Sequence, residues 1–128
     1  MNQVAHKLKP DIAEPGTVLT RASLRAATLL GLSQADLARV LGLSAASLSR
    51  LAHGGRSLEP GSTSWQLAAL FVRMFRSLDA IVGSDDAAAR DWLASPNTAL
   101  GGVPRELMFD LAGLVRTVDY LDAARARI

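Results

Sequence analysis

The sequence predicts an all-α protein, and two features of the chain support this prediction. One is a long segment, residues 65–82, in which apolar residues recur every three or four positions, the period of a helix face buried on a core. This face comprises Leu67, Leu70, Phe71, Met74, Leu78, Ile81 and Val82. The other is a pair of short helical segments, residues 34–41 and 44–53, separated by Gly42. We therefore expect several helices arranged around the long one.

The order of these segments divides the chain into three parts. Residues 1–18 contain prolines and little periodicity, so we expect a mobile N-terminal arm. Residues 19–60 hold the paired short helices, and residues 61–128 follow the turn-forming sequence LEPGSTS. The first 64 residues carry seven Lys and Arg against four Asp and Glu, whereas the remainder carries seven against eight. This basic excess permits nucleic-acid binding by the N-terminal half without requiring it.

Composition excludes several classes of function. Cysteine is absent, so disulfides and thiolate metal sites are impossible, which agrees with a reducing compartment. The longest apolar run is interrupted by Arg73, Arg76 and Asp79, and residues 1–10 lack the apolar core of a signal peptide. The two histidines, His6 and His53, lie far apart and give neither a metal cluster nor a placed general base. We expect a cytoplasmic protein that is not an enzyme and holds no metal or cofactor.

The long helix has a second apolar stripe beside the core-facing one. This stripe consists of Trp65, Ala68, Val72 and Phe75. Helices that are apolar on so much of their girth are buried, so the stripe must be covered by other helices of the chain or by a partner subunit. Both interpretations remain open, a central core helix or a core helix that also forms a dimer interface.

The two short helices have the spacing of a helix-turn-helix. Ser33 and Ser44 precede them as N-caps, and Gly42 lies in the turn, where a positive φ is needed. Ala38 is small where the helices cross, and five leucines are expected to point inward. These are Leu37, Leu41, Leu43, Leu48 and Leu51. At these positions the chain resembles the phage-repressor-like Xre family of helix-turn-helix domains.

In such a motif the second helix enters the major groove of DNA. The residues expected to meet DNA are Gln34, Ser44, Ala45, Ala46, Ser49, Arg50 and His53. Arg50 alone carries a bidentate fork for a guanine edge, a contact worth about 1 to 3 kcal/mol of discrimination. Gln34, at the start of the preceding helix, is placed to contact a phosphate. Because the other side chains are small, we expect few direct contacts with base edges.

The C-terminal part combines helices with an unusual loop. Gly83 is expected to end the long helix and Ser84 to cap the next one. Residues 92–104 read WLASPNTALGGVP, a helix end followed by turn-forming Pro, Asn and Gly. A final helix from Leu111 to about Arg127 is expected to bury one face. That face comprises Leu111, Leu114, Val115, Val118 and Leu121, with Gly113 allowing a close approach.

This part of the chain resembles the toxin-binding C-terminal domain of the MbcA/ParS/Xre antitoxins. The resemblance rests on the Trp92-Leu93 pair, Pro96-Asn97, Leu100-Gly101-Gly102, Pro104 and the last helix. It implies a homodimeric antitoxin that neutralises a RES-domain toxin, an enzyme that degrades NAD, and represses its own operon. Higher-order complexes with the toxin are compatible with it. Family members often continue past the last helix with a Gly-containing apolar tail, whereas this chain ends at Ala126-Arg127-Ile128.

The residues expected to contact the toxin belong to the loop and the chain end. They are Trp92, Asn97, Leu100, Gly101, Gly102, Arg125, Arg127 and Ile128. The loop residues have an equally good structural interpretation, because Trp, Pro and Gly can serve only to shape the loop. The alternative function is a stand-alone dimeric transcriptional repressor without a toxin, which a neighbouring gene for a RES-type protein would argue against.

Overall fold

The computed structural model of this protein describes residues 14–128 as seven α-helices. They are α1 (Pro15–Leu29), α2 (Gln34–Leu41), α3 (Ala45–Ala52), α4 (Thr63–Ile81), α5 (Asp86–Ala94), α6 (Pro104–Leu107) and α7 (Leu111–Arg125). In the described part of the chain the sole extended pairing is an isolated bridge between Asn97 and Gly102. The all-α prediction is confirmed. Most of the predicted arm, residues 1–13, lies outside the described residues.

The first helix begins at Pro15, ahead of the start that periodicity indicated near Thr20. Proline suits a first helical turn because its φ is already helical and its missing N–H is not needed there. Gly16 is buried against the carbonyl of Leu58, where a Cβ would overlap the backbone. Thr20 accepts a hydrogen bond from the Leu58 N–H at 3.0 Å. The start of α1 is thereby held against the segment that leads into α4.

The helix-turn-helix forms at the predicted positions. Ser33 and Asp36 make a reciprocal capping box at the start of α2, and Gly42 ends the helix with φ 65°. Ser44 caps α3 by accepting from the Ser47 N–H. These caps depend on residues three or four positions apart, which is why the bounds of α2 and α3 agree with the prediction.

The central helix is α4, which packs on α1, α2, α5 and α7. Its cap, Ser62, accepts from the Trp65 N–H, and the helix ends at Ile81. Phe71, Met74 and Leu78 have no exposed surface. The predicted long core helix is therefore confirmed.

The C-terminal helices differ from expectation in two details. Asp85, not Ser84, caps α5, because Ser84 adopts a left-handed φ of 61° while the Asp85 carboxylate accepts from Ala88 N–H. On α7, Leu111 is 59% exposed. At about 100° per residue Leu111 lies only about 20° around the helix from Val118, which is 2% exposed, so its exposure reflects its position as the first residue of α7. The prediction that Leu111 is buried was therefore wrong.

None of the helices in the described residues combines the length and the apolar character that crossing a bilayer demands. The described residues also contain no cluster of three or more His, Asp or Glu side chains arranged to hold a metal ion.

We predict that Gly113→Ala destabilises the fold. A Cβ at this position would overlap the carbonyl group of Leu107, which is backbone and cannot move aside. Overpacking of this kind costs about 1 to 3 kcal/mol, and the better helix propensity of alanine recovers about 1 kcal/mol. Urea unfolding should show a lower midpoint. The matched control is Gly55→Ala, where the new Cβ would lie 3.8 Å from the Arg50 carbonyl oxygen and stability should hold.

Candidate functional site

The residues predicted to contact DNA lie at the surface of the helix-turn-helix. Gln34, Ser44, Ala45, Ala46, Arg50 and His53 are exposed and Ser49 is half-buried. Ser44 also serves as the α3 cap, so its hydroxyl is already engaged by the Ser47 N–H at 3.1 Å. The His53 Nδ1 lies 2.7 Å from the carbonyl oxygen of Ser49, so this ring nitrogen is turned back onto its own helix. Arg50 is the longest side chain that this surface presents.

Two arginine side chains donate hydrogen bonds to one hydroxyl of α3, that of Ser47. Arg50 donates to the Ser47 Oγ at 3.3 Å, and Arg56 donates to the same atom at 3.4 Å. Two cations this close form an electropositive spot suited to a phosphate. Arg56 thus joins the surface from the loop after α3.

The N-terminus of α2 carries a contact that reaches into the C-terminal part of the chain. Arg105, on α6, donates to Asp36 Oδ2 at 3.0 Å, and the same oxygen accepts from the Ser33 N–H at 3.3 Å. The Asp36 carboxylate therefore caps α2 and pairs with a residue 69 positions away. Gln34, the expected phosphate contact, is the first residue of this helix.

Two further contacts join α1 and α2 to the C-terminal part of the chain. The Arg39 guanidinium lies over the Phe109 ring, 3.9 Å from its centroid, in a cation–π arrangement. Arg90 on α5 donates to the carbonyl oxygen of Leu29 at 3.0 Å. Sequence reasoning missed Arg39, Asp36, Arg90 and Arg105 as contacts, because no local spacing relates partners so far apart in the chain.

The loop between α5 and α6 is closed by its own hydrogen bonds. The Asn97 N–H donates to Gly102 O at 2.8 Å, and the Asn97 side chain accepts from Leu100 N–H at 3.0 Å. Arg116 on α7 donates to the Leu100 carbonyl. Leu100 is only 3% exposed, so it anchors the loop and offers almost no surface for the expected contact with a toxin. Gly101, with φ 74°, stays exposed beside it.

The remaining predicted toxin-contact residues lie on both sides of α7. Trp92 is half-buried and stacks on Tyr120 of α7 with ring centroids 6.2 Å apart. Arg125 ends α7, and Arg127 and Ile128 follow it. Ile128 is 78% exposed. The loop side thus contacts α7 through Trp92, and the exposed Ile128 follows the last turn of the same helix.

A groove of about 1010 Å³ opens where α1, α4 and α7 meet. Its apolar lining comes from Pro15, Val18, Leu19, Ala22, Trp65, Ala69, Val72 and Ala126, and its polar lining from Arg73, Arg76, Ser77, Asp122 and Arg125. Asp122 accepts from the Ser77 hydroxyl at 2.7 Å and pairs with Arg73. We call this the α1–α4–α7 groove.

This groove changes the interpretation of the second stripe on α4. Ala68 has no exposed surface, so the chain itself covers it, and Val72, which lines the groove, is only 6% exposed. Phe75 is half-buried and packs against the core. Trp65 keeps exposed surface and lines the groove. The expected surplus apolar surface is therefore smaller than predicted and is shared with α1.

The geometry defines a two-part helical protein in which a helix-turn-helix packs against a C-terminal helical unit. Two family models match these parts in the same order. The Xre-like antitoxin helix-turn-helix domain matches residues 10–73, and the antitoxin Xre/MbcA/ParS C-terminal toxin-binding domain matches residues 77–127. The chain belongs to the Xre-like antitoxin family. A comparison with curated proteins gives no match.

Proposed function

We propose that this protein is the antitoxin of a type II toxin–antitoxin system, acting in the cytoplasm on a RES-type toxin that degrades NAD. The observation that carries the proposal is the pairing of a helix-turn-helix with a toxin-binding domain in one chain. The exposed residues of α3 and those that follow Arg125 supply a surface for each task. DNA binding would then repress the operon that encodes both proteins.

Neutralisation is proposed to act by steric blockade of the toxin. The segment from Arg125 to Ile128 carries two arginines, and Ile128 is 78% exposed. Such an exposed basic segment can enter a cleft of the toxin, while Trp92, Asn97, Gly101 and Gly102 present or shape the loop between α5 and α6. The antitoxin contributes no catalytic group.

Operator binding is proposed to require a homodimer. The N-terminal turn of α3 presents only Ser44, Ala45 and Ala46 before Arg50, so one motif contacts too little DNA to hold an operator by itself. Two-fold related motifs reading two half-sites double the contacts. The dimer surface that we propose is the α1–α4–α7 groove, because Val18 is 52% exposed there and the half-buried Trp65 keeps exposed surface.

In a gel-shift titration on the protein's own promoter, Arg50→Ala should lose sequence preference, because the guanidinium is the group that can read a guanine edge. Arg56→Ala is the matched comparison, since Arg56 shares Ser47 but lies beyond α3. Arg56→Ala should weaken binding to all DNA sequences alike, and it should lower the slope of log affinity against log salt concentration by about 1. Unchanged discrimination by Arg50→Ala would remove Arg50 from base reading.

Val18→Glu should convert the dimer to monomers in light scattering, because a carboxylate would be buried in the apolar part of the interface. The substitution is mild for the monomer, since Val18 is half exposed and an acidic residue near a helix N-terminus is favourable. Ala87→Glu, on the exposed side of α5, is the control and should remain dimeric. A dimer that survives Val18→Glu uses another surface.

Removal of Arg127 and Ile128 should restore toxin activity, measured as loss of NAD with purified partners. This short deletion spares Arg125 and Ala126, which line the groove, so dimerisation and DNA binding should be retained. Arg50→Ala is the control and should inhibit the toxin as well as the unaltered chain does. Full inhibition by the shortened chain would move the inhibitory surface to the loop and helices.

A further inference from the structure

The ion pair between Asp36 and Arg105 joins the helix-turn-helix domain to the toxin-binding domain at a partly exposed position. Asp36 belongs to the helix-turn-helix match and Arg105 to the toxin-binding match. The donor–acceptor distance is 3.0 Å, and both side chains keep some exposure, 24% for Asp36 and 39% for Arg105. The pair is therefore close enough to act electrostatically and remains within reach of solvent.

The Asp36 carboxylate occupies an unfavourable place for a DNA-binding protein. It lies in the first turn of α2, the helix whose first residue, Gln34, is the proposed phosphate contact. A negative charge at this end of the helix stabilises α2 through its capping box but repels an approaching phosphate. A cation beside the carboxylate removes much of that repulsion without removing the cap.

We propose that Arg105 is a positioning residue for operator binding, which neutralises the Asp36 carboxylate so that the α2 N-terminus can accept a DNA phosphate. Operator affinity then depends on a side chain supplied by the toxin-binding domain. The inference rests on the proposed operator binding.

A second contact at the same joint allows the electrostatic role to be isolated. Arg39 lies over Phe109, the residue that follows α6 and its C-cap, at 3.9 Å from the ring centroid. This cation–π contact holds α2 against the end of α6 whether or not Arg105 is charged. Loss of Arg105 should therefore leave the fold and the joint in place, and thermal unfolding of the variant can verify that.

The test is a double-mutant cycle of charge-altering substitutions in the 128-residue chain, with operator affinity measured at low and high salt. The variants are Arg105→Ala, Arg105→Lys, Asp36→Asn and the double variant Arg105→Ala with Asp36→Asn. From the strength of exposed pairs, Arg105→Ala should weaken binding roughly threefold per motif and about tenfold for two motifs on one operator. The loss should shrink as salt is added.

The other variants separate neutralisation from a structural role. Arg105→Lys keeps the charge and should bind like the unaltered chain. Asp36→Asn keeps an oxygen that can cap α2, so it should bind as well or better, and in the double variant it should restore the affinity lost with Arg105. If Asp36→Asn weakens binding, or fails to rescue Arg105→Ala, the proposal is overturned. If the unaltered chain does not bind its promoter, the failure lies in the proposed function instead.

Discussion

The burial of α4 on several sides is the constraint on which the rest of the structure depends. This helix contacts α1, α2, α5 and α7, and Phe71, Met74 and Leu78 are wholly enclosed between them. Side chains of this size each contribute about 1.5 to 3 kcal/mol when removed from water. Because both domains share this core, the helix-turn-helix and the toxin-binding helices form one packed unit. The first family match runs to residue 73, within α4.

Polar contacts at the surface then join α1 and α2 to the C-terminal part of the chain. Arg90 reaches the carbonyl of Leu29, Arg105 pairs with Asp36, and Arg39 covers Phe109. Each exposed contact contributes little to stability, with ion pairs worth about 0 to 1 kcal/mol. Their common feature is position, since all three join α1 or α2 to the C-terminal part of the chain. They therefore matter more for the charge and placement of the DNA-binding helices than for the free energy of unfolding.

Sequence reasoning succeeded where structure is local and failed where it depends on distant partners. Ser33, Gly42 and Ser44 act within a few residues of themselves, so the bounds of α2 and α3 could be read directly. Periodicity identified the stripe with Ala68 but could not say that the chain itself would cover it. Nothing in the spacing indicates that Asp36 meets Arg105, because that contact exists only after α2 and α6 have packed. The site residues remain predictions, although burial leaves Leu100 and Ala68 almost no surface to offer a partner.

Placing a charge pair across two domains has a thermodynamic consequence for a protein with two partners. If a toxin contacts Arg105 and draws it from Asp36, the carboxylate faces the phosphate again and operator affinity falls. Linkage requires the reverse effect to be equal, so DNA bound at α2 must weaken toxin binding by the same factor. The coupling cannot exceed the factor by which operator affinity differs between the paired and the unpaired states of Arg105. A dimer carries two such pairs, so the effect on an operator that engages both motifs is the product of the two.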